Sequence, residues 1–229
     1  MHHRVKAICK QGIGCISDTA AQASSSSRTP LIVAACRYRS RMEFQEVITR
    51  RHMVREFASD PLPQRAIDRI LRNAVRGPSA GFCQGQAFLV LTGGELPRFW
   101  AVAGETTYPS VRTAPLVIVP LSCKRIYVDR YVQQDAGWAD EDRWPMPFWH
   151  IDTGMAALLM LLTAVDEGLG AVFFGIMPEE AEMLRSKFGI PADHEPIGAV
   201  AVGRSAQVDG PSLTSRRRPL AEMTHYGRW

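Results

Sequence analysis

After residue 41 the chain has almost no cysteine, only Cys83 and Cys123 in 188 residues. Two isolated thiols with no CxxC pair make neither a disulfide framework nor a zinc site, and they fit a reducing, cytoplasmic setting. Histidine is as scarce there. His52, His150, His194 and His225 stand far apart without ligand spacing, so the sequence offers no metal centre. No apolar run approaches the roughly 20 residues that cross a bilayer, since the longest, Met155 to Ala164, covers about half of that. Also missing are GxGxxG after the first strand, GxxxxGK followed by Ser or Thr, and HExxH. Those absences remove support for dinucleotide-fold dehydrogenases, P-loop enzymes and zincins.

Charge of one sign is lacking too, once it is divided along the chain. The formal net charge is +4, but residues 1–41 hold seven bases against the single acid Asp18, and the remainder holds 20 bases against 22 acids. A slightly acidic body gives no electrostatic basis for binding nucleic acid.

What is present is ordinary globular composition, 46% hydrophobic and 22% charged over 229 residues, enough for one sizeable domain or two small ones. Residues 1–41 show no helical or alternating period and include the low-complexity run Ala20 to Ser27. The apolar run Leu31 to Cys36 is too short and too far along for a secretory signal, and a transit peptide would need an amphipathic helix that is not there. The preferred reading is a disordered or non-native extension, with the domain at 42–229 and Met42 as its natural start.

Along that body, Met42 to Arg51 reads as a short helix with Phe44, Val47 and Ile48 on one face. Pro63 opens a second helix whose stripe is Ile67, Ile70, Leu71, Ala74 and Val75, stopped by Gly77-Pro78. Phe88 to Leu91 and Leu116 to Pro120 have the apolar, β-branched character of buried strands, with a helix over Leu96 to Ala103 between them. Lys124 to Val132 can form a helix. Trp138 to Trp149, dense in Trp, Pro and acids, reads as a surface loop that covers a flat apolar ligand or packs on a partner subunit. Ile151 to Gly168 is a helix apolar on almost every side, which calls for burial all round. Ala171 to Phe174, Pro178 to Phe188 and Ile197 to Val202 follow as strand, helix and strand. The class is α+β.

Two segments could carry chemistry. Arg50-Arg51-His52-Met53-Val54-Arg55-Glu56-Phe57 concentrates guanidiniums able to hold a phosphate and a polar heterocycle edge; taken alone, a solvated basic helix end is the favoured reading. Gly77-Pro78-Ser79-Ala80-Gly81-Phe82-Cys83-Gln84-Gly85 is small enough for backbone to approach a flat ligand, though an isolated run of this kind is more commonly a helix stop followed by a loop.

Together, with a helix between them and a strand after, these segments resemble the nitroreductase family of flavin enzymes. The family pattern RRSxRxF, a proline-rich turn, a helix and APSxxNxQPWxF has counterparts here in RRHMVREF, DPLP and GPSAGFCQGQAF. The likeness continues through DEGLG, AVFFGI, GAVAVG and the terminal RRRPL, covering essentially all of 42–229. It implies a nitroreductase-like fold: a central mixed, mostly antiparallel sheet flanked by helices, with the long buried helix at a homodimer interface. It also implies FMN as cofactor and NAD(P)H as co-substrate, with hydride passing to an electron-poor acceptor such as a nitroaromatic or quinone by a ping-pong mechanism. Carried over by position, Arg51 would bind the FMN phosphate, with His52, Met53 and Arg55 along the ribityl chain and pyrimidine edge. Pro78, Ser79, Ala80 and Gln84 would reach the flavin from the other subunit, Phe174, Gly175 and Ile176 would lie near its reactive edge, and Arg216 and Arg217 would close on the phosphate.

This sequence departs from the pattern at three places. Met53 replaces a serine, Phe82 an asparagine, and Gly85-Gln86 a Pro-Trp pair. They leave phosphate anchoring untouched and alter the flavin's polar edge and the substrate face. A flavin-holding protein without turnover, with Phe82 filling the substrate space, and a deazaflavin-using member are the competing readings.

Overall fold

The computed structural model describes residues 42–140, 143–207 and 216–229, so the reading of residues 1–41 falls outside the described residues. Its sheet consists of β1 (Gln86–Thr92), β2 (Leu116–Ser122), β3 (Gly170–Phe174), the two-residue β4 (Glu195–Pro196) and β5 (Ala199–Gly203). The order is β1-β2-β5-β3, with β4 pairing β2 beyond the end of β5, and every pair of named strands is antiparallel. Among the described residues the single parallel element is an isolated bridge from Met53 to Ala171.

Period-two alternation assigns side chains to two cores. Val117, Val119, Leu121, Val172, Phe174, Ala199 and Ala201 face one side, and Leu116, Ile118, Ala171, Val200 and Val202 face the other. The second face is covered by α2 (Gln64–Ala74) and α5 (Phe148–Asp166), through Ile67, Ile70, Ala74, Ala156, Met160 and Ala164. The first face takes Phe99 from α3 (Glu95–Trp100) and Leu184 from α6 (Pro178–Phe188). β2 is buried throughout, Pro120 included. Its missing N–H is harmless there. The Pro120 carbonyl accepts from Ile197 N–H at the gap between β4 and β5, and the imide nitrogen points into that same gap, where no ladder bond is due.

Several expectations need correction. β1 is an edge strand and only partly buried, because only β2 pairs with it. The helix expected over Leu96 to Ala103 ends at Trp100. In α1 (Phe44–Arg50) only Val47 is buried, while Phe44 and Ile48 are exposed, as is Val75 at the end of α2. Most consequential is α5, which is not buried on all sides within one chain. Met155 and Leu158 are exposed, Leu158 to 49%, and a groove of about 440 Å3 lies beside them, lined by Phe44, Val47, Asn73, Leu159 and Leu162. By length and composition α5 could cross a membrane, and half of its apolar window is buried inside this fold. The other helices are α4 (Lys124–Val132) and α7 (Leu220–Met223).

The described rings of the Trp138 to Trp149 segment pack within their own chain. Trp138, Trp144 and Trp149 pack on one another and on Tyr127 and Tyr131 of α4, with ring centroids 5.1 to 6.3 Å apart and mostly edge-on. Trp144 Nε1 donates to Trp138 O at 3.1 Å. The rings form a third small core that touches Ala80 and Cys83.

Candidate functional site

α1 closes with Arg51 N–H still bonded to Val47 O, and its backbone then turns extended. Val54 N–H donates to Ala171 O at 3.0 Å, Ala58 N–H to Arg204 O at 2.9 Å, and Glu56 O accepts from Ala206 N–H at 3.0 Å. Residues 53–58 therefore run beside the start of β3 and the end of β5. Gly170 is what permits this approach, since a Cβ there would sit 2.7 Å from Val54 Cγ2. Val54 and Phe57 turn into the core, and His52 and Arg55 are left exposed, with Arg51 and Met53 partly buried. His52 Nδ1 lies 2.9 Å from Arg50 O. The Arg55 guanidinium makes one long bond, to Met53 O at 3.3 Å, and stands 5.4 Å from the Tyr108 ring centroid.

At the far end of β3, Phe174 is buried under Trp100, Gly175 is exposed and Ile176 is half-buried. Among the described residues, no heavy atom outside Gly175 and its two chain neighbours comes within 4 Å of the place a Gly175 Cβ would occupy, so the backbone there is open to a flat ligand. The loop 104–108 joins the two ends. Its Glu105 N–H donates to Glu180 Oε1 at 2.7 Å, its Thr106 hydroxyl donates to Gly175 O at 3.4 Å, and its Tyr108 lies beneath Arg55. The structure thus links Met53 and Arg55 to Gly175 through that loop.

The 78–84 loop is elsewhere. Asp152, in the second turn of α5 and 5% exposed, accepts on Oδ2 from Ala80 N–H at 2.8 Å and from the Tyr127 hydroxyl at 2.7 Å. Burial first, and then this bond to a carboxylate, push the Tyr127 phenol well above the usual range. Ser79 Oγ accepts from Gln84 N–H at 2.9 Å. Gly77 to Gly81 also spells GxSxG, but it follows a helix and Ser79 is spent on this turn, so it is no nucleophile elbow. A Cβ on Gly85 would lie 2.4 Å from Tyr127 Cε2, so the Tyr127 ring fills the space that a proline at position 85 would use. Gly81, Phe82 and Gln84 all have φ of 54 to 58°, a strained conformation for a residue as large as phenylalanine. Phe82 is 77% exposed over a hollow of about 450 Å3 shared with Cys83, Ile126, Asp129, Arg130 and Gln133.

Sheet register separates the two segments. The 78–84 loop precedes Gln86, at the Ser122 end of the β1 edge, whereas Met53 sits beside Ala171, at the opposite end of the β3 edge. Three strand spacings and most of a seven-residue strand put roughly 25 Å between these corners of the sheet. One chain does not bring Pro78, Ser79, Ala80 and Gln84 to Arg51. Arg216 and Arg217 are exposed, and no contact among the described residues joins them to Arg51.

Elsewhere, Cys123, Asp193 and His194 place donor atoms within 4.8 Å of one another. His194 and Arg125 both bond Asp193, which holds its carboxyl down at about 2. With a guanidinium on the carboxylate, this is an ion-pair hub. Sequence reasoning missed Asp152, Tyr127, Glu180, Thr106 and Tyr108. An acid near the start of an otherwise apolar helix, and a Glu two residues after Pro178, were the available signals for two of them.

The sequence model of the nitroreductase family matches residues 48–108 and 101–204. The chain belongs to the nitroreductase family. A Methanothermobacter thermautotrophicus protein named an NADH dehydrogenase/NAD(P)H nitroreductase is 29% identical over 174 residues, 75% of this chain and 82% of that protein. Among solved structures, the nitroreductase CinD of Lactococcus lactis, in complex with nicotinic acid, superposes with a TM-score of 0.69 at 17% identity, covering 81% of this chain and all of its own. A Desulfovibrio desulfuricans nitroreductase in complex with FMN gives 0.61 at 23% identity, covering 81% and 97%. The nitroreductase fold, an antiparallel α+β sheet clad by helices, is thereby established for this chain.

Proposed function

We propose that this nitroreductase-family chain is an FMN-dependent oxidoreductase, passing hydride from NAD(P)H to an electron-poor acceptor such as a nitroaromatic or quinone, the two substrates using one site in turn. The observation that carries the reading is the basic segment 51–55 along β3, linked by loop 104–108 to an open backbone turn at Gly175. The donor set fits the cofactor. Two guanidiniums and an imidazole suit a phosphate and a polar ring edge, and an uncovered glycine suits a flat ring.

Arg51 would hold the phosphate, with His52, Met53 and Arg55 beside the ribityl chain and pyrimidine. The backbone of Phe174, Gly175 and Ile176 would face the reactive edge. Arg55, whose guanidinium bonds only Met53 O among the described residues, would stabilise negative charge on that ring, as preorganised donors do. Bound FMN would supply the hydride chemistry, so no general base is required of the protein.

The diagonal separation of the two loops and the exposed face of α5 support a homodimer. A second copy would cover Met155, Leu158, Phe44 and Ile48, and would bring Pro78, Ser79, Ala80 and Gln84 to the flavin. Arg216 and Arg217 would close on the phosphate from the exposed C-terminal segment. The free thiols of Cys83 and Cys123 accord with a reducing cytoplasm, and the domain is taken as 42–229.

The test is an anaerobic visible spectrum of the chain from Met42 with FMN, before and after NADH or NADPH. Flavin bands that bleach and return on adding a quinone are expected. Bound flavin that never bleaches would favour a holding protein or a deazaflavin donor, and failure to retain flavin would overturn the reading.

A further inference from the structure

Glu180 is a buried carboxylate, 3% exposed, in a place where a helix cap needs only one of its oxygens. It stands at the third position of α6. Its Oε2 accepts from Met177 N–H at 2.8 Å, the ordinary backward reach of a capping-box glutamate. Its Oε1 does something the cap does not require, accepting at 2.7 Å from Glu105 N–H, 75 residues away in sequence. One side chain therefore ties together two separate loops. One is the turn Gly175–Met177 at the end of β3, and the other is the loop 104–108, whose Thr106 donates to Gly175 O and whose Tyr108 lies beneath Arg55.

Both oxygens of a buried anion are matched by backbone N–H donors, so the brace has a set length and little freedom. Charge-assisted bonds of this kind are short and about twice as strong as neutral ones. Neither loop is held as firmly by anything else described between them, because the Thr106 bond is long and exposed.

We propose that Glu180 is a positioning residue, whose carboxylate sets the spacing between Arg55 with Tyr108 on one side of the candidate site and the Gly175–Ile176 backbone on the other. The proposal rests on the flavin reading above. It assigns Glu180 no contact with cofactor or substrate. Glu180 acts through the two backbones that would flank the ring, where a displacement on the order of 1 Å can lower a rate by about a hundredfold.

Glu180→Gln keeps the shape but sets an amide N–H against one of the two backbone N–H donors. Hydrogen exchange of the wild type and this variant, followed by mass spectrometry, should show faster exchange in peptides covering 104–108 and 175–178 and nowhere else. With FMN bound, kcat/KM for a quinone should fall about tenfold or more through kcat, and the flavin's visible spectrum should shift while FMN is still retained. Unchanged exchange in both peptides would overturn the brace. Faster exchange with unaltered kinetics and spectrum would overturn the positioning role and leave a structural cap. Thr106→Val, on the exposed loop, should move exchange and kcat in the same direction by a smaller factor. If Glu180→Gln does not fold, absence of either change in Thr106→Val overturns the proposal. A wild-type chain that retains no FMN would refute the flavin reading separately, with the exchange data still deciding whether the brace exists.

Discussion

Tyr127→Phe tests the hub that holds the 78–84 loop. The wild-type ring is fully buried, and its hydroxyl donates to Asp152 Oδ2, which also accepts from Ala80 N–H. Removing one oxygen changes shape little and deletes a bond to an ionised acceptor, worth about 1.5–3 kcal/mol. For a domain of this size a loss of about 2 kcal/mol lowers Tm by roughly 4–8 °C at neutral pH. The alkaline limb gives an independent check, because burial and the Asp152 bond raise the folded phenol's pKa. Below about pH 10, the ordinary phenol value, the group is neutral in both states and its contribution is fully present. Above it, the unfolded chain ionises while the folded chain does not, so wild-type stability falls by an extra 1.4 kcal/mol or so per pH unit. The variant lacks this loss, and the two stabilities should converge near about pH 11.5. Urea unfolding of both proteins from pH 7 to 11.5 is the assay. A difference under about 0.5 kcal/mol at pH 7, or curves that stay parallel to pH 11.5, would refute the reasoning.

Gly170→Ala should destabilise the chain by about 1–3 kcal/mol and weaken FMN retention, since its Cβ would press Val54 away from β3; unchanged urea midpoint and FMN titration would count against that packing. Leu158→Glu, on the exposed face of α5, should shift gel-filtration elution from dimer to monomer, and a wild type already eluting as a monomer would sink the interface. Asp193→Asn should flatten the acid limb of unfolding. The native carboxyl, held at about 2 by His194 and Arg125, contributes stability above its ordinary value near 3.9, and that contribution is lost as pH falls through the folded value. An acid limb identical to wild type would contradict this.

Local pattern made most elements legible. Lys124 to Val132 and Pro178 to Phe188 are helices over the expected residues, and β2 and β3 extend the expected runs by one or two residues. The family, too, could be read from the order of short motifs, because each marks a backbone turn or cation whose spacing along the chain is fixed by the elements between. Less was legible where a side chain answers to a distant element. Periodicity says α5 is apolar all round but not which face its own chain leaves bare. The Trp138 to Trp149 rings had no period because they pack on one another and on α4, and no local signal announces such a cluster.

The sequence by itself determined the α+β class, the family and the two segments that could touch a flat anionic cofactor, since propensity, turn chemistry and motif spacing act within a few residues. Only the tertiary structure decided that these segments occupy opposite corners of one sheet, that Tyr127 excludes a side chain at Gly85, and that Glu180 braces a loop 75 residues away. Those outcomes depend on register and close packing between elements remote in sequence, where a one-residue slip would turn every side chain to the other face.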